Sequence, residues 1–240
     1  VVALNVERAA GPGVERLELV DPHVVICGFT GRDPAEVAAH IAELGEIGVA
    51  PPETTPLFMT VPGDLLQQPD SKPIEVQSAD TSGEAEPVLV RIPGRGDYVG
   101  VGSDHTDRGL EAESILAGKT ACPKLISPSV WPFEDVADRW DSLRLTATVD
   151  GTTVLDGRLA HIRPPMELLG RAADAVGLPD DRPSVLFLGT LSSGKAATDP
   201  HGRSPYVMTL RDAITGRALI CAYEVHNART TQAGEKEVAG

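Results

Sequence analysis

Three cysteines in 240 residues, Cys27, Cys122 and Cys221, are too few and too far apart for a disulfide framework. No C-x-x-C occurs, which also removes structural zinc and leaves buried thiols in a reducing cytoplasm as the expectation. Positive charge is scarce: 21 Lys and Arg stand against 35 Asp and Glu, a formal charge of −14. That balance disfavours a surface that tracks a phosphate backbone, so nucleic acid is not an expected partner, although one basic cleft for a small anion is still allowed. No run approaches the ~18 apolar residues of a membrane span, and no basic segment followed by an apolar one marks an export signal. The chain starts at Val1 rather than Met, so a trimmed or partial N-terminus is open. Neither a Walker loop nor Rossmann G-x-G-x-x-G spacing is present.

What the sequence does contain is strand signal. After "RLELVDPHVVICGF" (16–29), read as strand, turn and strand, "GRDPAEVAAHIAELGEIG" predicts a helix over 34–47. Asp33 is its cap, Pro34 its first residue and Glu36 lies three after the cap. Val37, Ile41 and Leu44 make a core stripe, with His40 and Glu43 beside it and one turn apart. Six prolines in residues 49–73 mark a connector, with "PLFMTV" a short strand within it. This divides the chain into a small N-terminal α/β region (1–62), a β-rich body (63–226) and a loose tail (227–240). In the body, "VLVRI", "DYVGVGSD", "LRLTATV", "TTVL", "SVLFLGT", "PYVMTLRD" and "ALICAYEV" read as strands, with hairpin signals at Asp150-Gly151 and Thr215-Gly216. One more helix is expected in "PPMELLGRAADAVG", burying Met166, Leu169, Ala173 and Val176. The class is α+β with a β-dominated core, because crossover helices do not alternate with the strands.

The carboxylates of "GEAEPVLVRIPGRGDYVGVGSDHTDR" (83–108) need a reason. Glu84 and Glu86 are two apart, hence on one face of a strand. A turn centred on Arg95 puts residue 86 opposite 104 and brings Asp104 to the same face, whereas a slip of one residue would send it to the other. Three such oxygens suit a hard cation, Mg²⁺ or Mn²⁺, at ~2.1 Å. A solvated acidic face is the alternative.

The order of Glu84-x-Glu86, "GSDHTDRGLE", Lys119 in "AGKTACPKLISPSV", "LRLTATVDGTTVLDG" and "VLFLGTLSSGKA" resembles the fumarylacetoacetate hydrolase superfamily over residues 24–226. It is most similar to a bacterial branch, known chiefly as a domain of unknown function, with the same "GSDHTDR" core. The resemblance implies a mixed β-sandwich or roll with a small N-terminal α/β region, and a homodimer. It makes Glu84, Glu86 and Asp104 the metal ligands. It implies a His40–Glu43 dyad that activates water, although Glu36, one turn upstream, is an equally reachable partner. Lys119 would neutralise substrate charge or a developing enolate. Arg108, Thr190, Ser192, Ser193 and Gly194 would bind substrate, with Arg108 equally suited to balancing the acidic cluster. His105 points away from the metal on an extended segment. The sequence departs from the pattern at Gly109, Glu111, Leu191, Ser192 and "GFTGRD", mostly on the substrate side. The implied activity is Mg²⁺- or Mn²⁺-dependent hydrolysis of a C–C bond in a small 2-oxo acid or β-dicarbonyl carboxylate. Decarboxylation of an oxaloacetate-like acid, hydration or isomerisation are alternatives, as is non-catalytic binding of acidic metabolites.

Overall fold

The structure, a computed structural model, describes residues 1–9, 15–46, 48–70, 72–191 and 205–227. The expected tail and the candidates Ser192, Ser193 and Gly194 therefore lie outside the described residues, save for Asn227. The architecture is α+β and β-dominated, built on a ten-stranded mixed sheet and a five-stranded one. The larger sheet runs Glu15–Leu19, Val2–Val6, Ser129–Pro132, Gly96–Asp104, Ala85–Ile92, Ser184–Phe187, His23–Gly28, Leu57–Val61. Lys124–Ile126 also pairs with Gly96–Asp104, and Leu66–Gln67 with Lys124–Ile126. The smaller sheet orders Thr152–Arg158, Arg144–Val149, Pro205–Arg211, Ala218–Asn227 and Ile74–Val76.

The central strand Ala85–Ile92 explains its own composition. Residues 85–90 are buried on both faces, since Leu89 belongs to the core shared with the second sheet and Val88 and Val90 to a core on the opposite side. A strand covered twice reads as a continuous apolar run rather than an alternating one. The Asp150-Gly151 turn joins Val149 to Thr152 with φ of 49° and 73°, the left-handed pair that a two-residue hairpin needs. All three cysteines are buried and unpaired, in agreement with the sequence expectation. Among the described residues, no helix is long and apolar enough to cross a membrane.

The described helices depart from expectation in how they pack. α1 (Pro34–Glu46) starts as predicted, with the Ala35 N–H donating to Asp33 Oδ1 at 2.8 Å. None of its residues is fully buried, however: Val37, His40, Ile41 and Leu44 are only half covered, because the helix lies along the outside of the body. α2 (Arg108–Glu113) and α3 (Ile115–Thr120) are short and capped by Asp107 and Ser114. α4 (Pro165–Val176) exists where expected and covers Leu169 and, in part, Val176, but its buried stripe is rotated to take in Pro165, Leu168 and Ala172 as well. Met166 is 41% exposed and Ala173 is on the surface. The i, i+3, i+4, i+7 series 165, 168, 169, 172 faces the core, and the packing surface rather than composition sets the rotation.

Candidate metal centre

The hairpin of Ala85–Ile92 and Gly96–Asp104 places the acids. Ile92 pairs with Gly96 and Glu86 with Gly102, so the turn is centred on Gly94 rather than on Arg95, a register two residues from the one expected. Residue 84 then faces 104, and the Asp104 N–H donates to the Glu84 carbonyl at 3.0 Å. A slip of two preserves the face where a slip of one would reverse it. Glu84, Glu86 and Asp104 accordingly converge, one carboxylate oxygen from each lying within 4.8 Å of the others. Glu86 is 2% exposed and Asp104 fully buried.

Basic groups surround them. The Lys119 ammonium, in the last turn of α3, donates to Glu84 Oε2 and to Thr106 Oγ1 (3.0 Å) and lies 2.8 Å from Asp104 Oδ2. Arg108 donates from Nη2 to Glu84 Oε1 (2.7 Å), from Nη1 to Glu111 and from Nε to Ser82 Oγ (2.6 Å). All three of its nitrogens are thus spent inside the cluster, which fits the charge-balancing alternative for this residue. Lys124, with no exposed surface, lies 2.7 Å from Asp104 Oδ1 and donates to the His105 carbonyl at 2.6 Å. Sequence reasoning missed Lys124. Its signal was present, a lysine inside the apolar strand "KLI", but the pairing of Lys124 with Asp104 is non-local. Glu86 Oε2 accepts the Gly189 N–H at 2.8 Å.

Four carboxylates, Glu84, Glu86, Asp104 and Glu111, thus meet three cations, Arg108, Lys119 and Lys124. The imbalance falls unequally. Burial disfavours the Glu84 carboxylate, but Lys119 and Arg108 outweigh it and hold its pKa far below the ordinary range. A depressed folded pKa stabilises the fold above the unfolded value, and that contribution is lost only as pH falls through the folded one. Glu86 goes the other way. Burial, then the charges of Asp104 and Glu84, push its pKa well above normal, so ionised Glu86 costs stability that acid would relieve. Both Asp104 oxygens are buried without an aligned hydrogen-bond donor, the lysine contacts being ionic only. Crowded, dry carboxylate oxygens beside a proton-hungry Glu86 fit a hard divalent cation held by Glu84, Glu86 and Asp104.

The turn after Ser184–Phe187 is built for Glu86. Gly189 has φ of +96°, and a Cβ there would lie 2.1 Å from Thr30 Oγ1, whose hydroxyl donates to the Leu188 carbonyl at 2.7 Å. Gly189→Ala is expected to cost about 1–3 kcal/mol from backbone strain alone, read by urea denaturation. Adding Thr30→Ala should recover only the clash.

His40, Glu43 and Thr190 are not members of this network. His40 and Glu43 are 43% and 74% exposed, and Nδ1 to Oε2 measures 3.7 Å, beyond hydrogen-bond length. Among the described residues, no hydrogen bond or ion pair joins either to the carboxylate cluster. Thr190 follows Gly189 and is exposed. His105, expected to point away from the metal, is fully buried, with Nδ1 at 2.9 Å from the Tyr223 hydroxyl and Nε2 at 3.0 Å from Thr81 Oγ1.

The fold defines a class: it is the fold of fumarylacetoacetate hydrolase family proteins. A member of that family from Yersinia pestis superposes with a TM-score of 0.65 at 18% identity, over 88% of this chain and 95% of that one. The fumarylpyruvate hydrolase of Pseudomonas aeruginosa, in complex with Mn²⁺ and pyruvate, gives 0.62 at 15%, over 94% and 97%. The 2-hydroxyhepta-2,4-diene-1,7-dioate isomerase of Mycobacterium marinum gives 0.63 at 15%, over 90% and 79%. Residues 27–223 match the family described as protein of unknown function DUF2848, and the chain belongs to that family. No curated protein matches the sequence.

Proposed function

We propose that the chain is a divalent-metal-dependent enzyme that hydrolyses a C–C bond in a small 2-oxo acid or β-dicarbonyl carboxylate. The convergence of Glu84, Glu86 and Asp104 in a largely buried, charge-crowded cluster carries this reading. The fumarylpyruvate hydrolase complex with Mn²⁺ and pyruvate, on the same fold, supports it. Mg²⁺ or Mn²⁺ held by these three would polarise the 2-oxo group and stabilise the enolate that C–C cleavage leaves. His40, which Glu43 would orient once the two close to hydrogen-bond length, would take a proton from the water that adds to the remote carbonyl, and that proton would end on the departing carbon. Lys119 offers positive charge to the substrate carboxylate or enolate. Arg108 holds Glu84 and Glu111 in place, while Thr190, with the sequence candidates Ser192, Ser193 and Gly194, serves the substrate carboxylate.

A second reading is favoured by one observation: among the described residues, no hydrogen bond or ion pair ties the exposed His40 and Glu43 to the cluster. Decarboxylation of an oxaloacetate-like acid needs enolate stabilisation but no activated water, and hydration or isomerisation on the same scaffold belongs with it. His40→Ala separates them. Hydrolysis predicts a kcat about 10²–10⁴-fold lower with Mn²⁺ affinity unchanged, measured on acylpyruvates. Decarboxylation predicts turnover of oxaloacetate that the variant keeps. Mn²⁺-loaded protein that binds these acids and turns over none would leave only a binder of acidic metabolites. We also propose a homodimer, which light scattering would report as twice the 25.2 kDa chain mass.

A further inference from the structure

Five of the six oxygens of the three carboxylates are already spoken for. Glu84 gives Oε1 to Arg108 and Oε2 to Lys119. Asp104 gives Oδ1 to Lys124 and Oδ2 to Lys119, and Glu86 gives Oε2 to the Gly189 N–H. Among the described residues, only Glu86 Oε1 has neither a cation nor an N–H group beside it. A divalent cation that takes one oxygen from each acid must therefore share or displace an existing positive charge. Two ammonium groups touch Asp104, and they differ. Lys124 is fully buried, fixed on a strand, and tied to a single ligand oxygen and the His105 carbonyl. Lys119 bridges two of the three ligands, is 7% exposed, and has another carboxylate, Glu111 Oε1, at 3.8 Å to move toward.

We propose that Lys119 is an internal stand-in cation: its ammonium neutralises Glu84 and Asp104 until a divalent ion arrives, then yields that place and shifts toward Glu111. This deepens the function proposed above and rests on its metal site. An ammonium shared among carboxylates has little to offer an anionic substrate, so release is what turns Lys119 from a partner of the ligands into a partner of the substrate. Metal loading and substrate binding are then coupled through one side chain, and such coupling is reciprocal. Lys124 stays in place throughout and keeps Asp104 oriented.

The test is Mn²⁺ affinity by isothermal titration for wild type, Lys119→Met and Lys124→Met. Each variant removes one positive charge at nearly the same distance from Asp104, 2.8 and 2.7 Å. Displacement predicts that Lys119→Met binds Mn²⁺ at least about tenfold tighter, an ordinary size for coupling between two groups, while Lys124→Met changes far less. Equal gains in both variants would reduce the effect to overall charge and overturn the proposal, as would unchanged or weaker binding by Lys119→Met. No Mn²⁺ binding by any of the three proteins would instead remove the metal reading beneath it. Should Lys119→Met fail to fold, a crystal structure of Mn²⁺-loaded wild type decides. The Lys119 ammonium should have left Glu84 Oε2 and Asp104 Oδ2, and its retention on both would overturn the inference.

Discussion

Asp104→Asn is expected to destabilise the metal-free protein by about 3–5 kcal/mol, the usual cost of removing one partner from a buried ionic cluster. Asp104 is the shared counterion of Lys119 and Lys124, at 2.8 and 2.7 Å. Without it, Lys124, which has no exposed surface, keeps only the His105 carbonyl. Lys119 still has Glu84, so most of the penalty falls on Lys124. Adding Lys124→Met should then restore much of the stability, since a buried charge is replaced by an apolar chain of similar length. Guanidinium denaturation of the two single variants and the double variant gives the coupling directly. Should Asp104→Asn cost less than about 1 kcal/mol, the lysines would be paired elsewhere and the cluster as described would be wrong.

The second large effect has the opposite sign. Glu86 has its pKa raised by burial and by the charges of Asp104 and Glu84. The folded state therefore holds a proton there more tightly than the unfolded chain, and ionised Glu86 is a cost present above the unfolded value of ~4.3. Glu86→Gln removes that cost while its side-chain oxygen still accepts the Gly189 N–H. Metal-free Glu86→Gln is expected to be more stable than wild type at pH 8 by about 1–2 kcal/mol, as when strain held for function is released. The gain should shrink as pH falls toward that unfolded value. Thermal melts across pH check it, and a variant less stable than wild type at pH 8 would contradict it. The same raised pKa predicts weaker Mn²⁺ binding as pH falls, because the ion and a proton compete for Glu86.

Much of this arrangement was legible in the sequence, because some of its signals are local. The cap at Asp33, the Asp150-Gly151 hairpin and the apolar run through Val88 and Val90 each follow from a few neighbouring residues. The acidic face was legible because it depends on parity: the turn sits one residue earlier than expected, and Glu84, Glu86 and Asp104 still share a side. What was hidden is non-local. Lys124 reaches Asp104 through pairing between separate strands, and Ser184–Phe187 enters between Ala85–Ile92 and His23–Gly28 from far along the chain. The proline-rich stretch 49–73, read as a connector with one short strand, does carry that strand at Leu57–Val61, but its pairing and that of Leu66–Gln67, which both join the ten-stranded sheet, were not legible. The stripe of α4 was misplaced because two helical faces of similar composition compete, and only the packing surface chooses between them.

The most direct test of the metal centre is the melting temperature of wild type and Glu86→Gln across a Mn²⁺ titration at fixed pH. A bound ion should stabilise wild type by mass action, about 2.7 kcal/mol at one hundred times its dissociation constant, and leave Glu86→Gln unmoved. A wild-type curve that ignores Mn²⁺, or a variant that rises in parallel with it, would contradict a centre built on Glu84, Glu86 and Asp104.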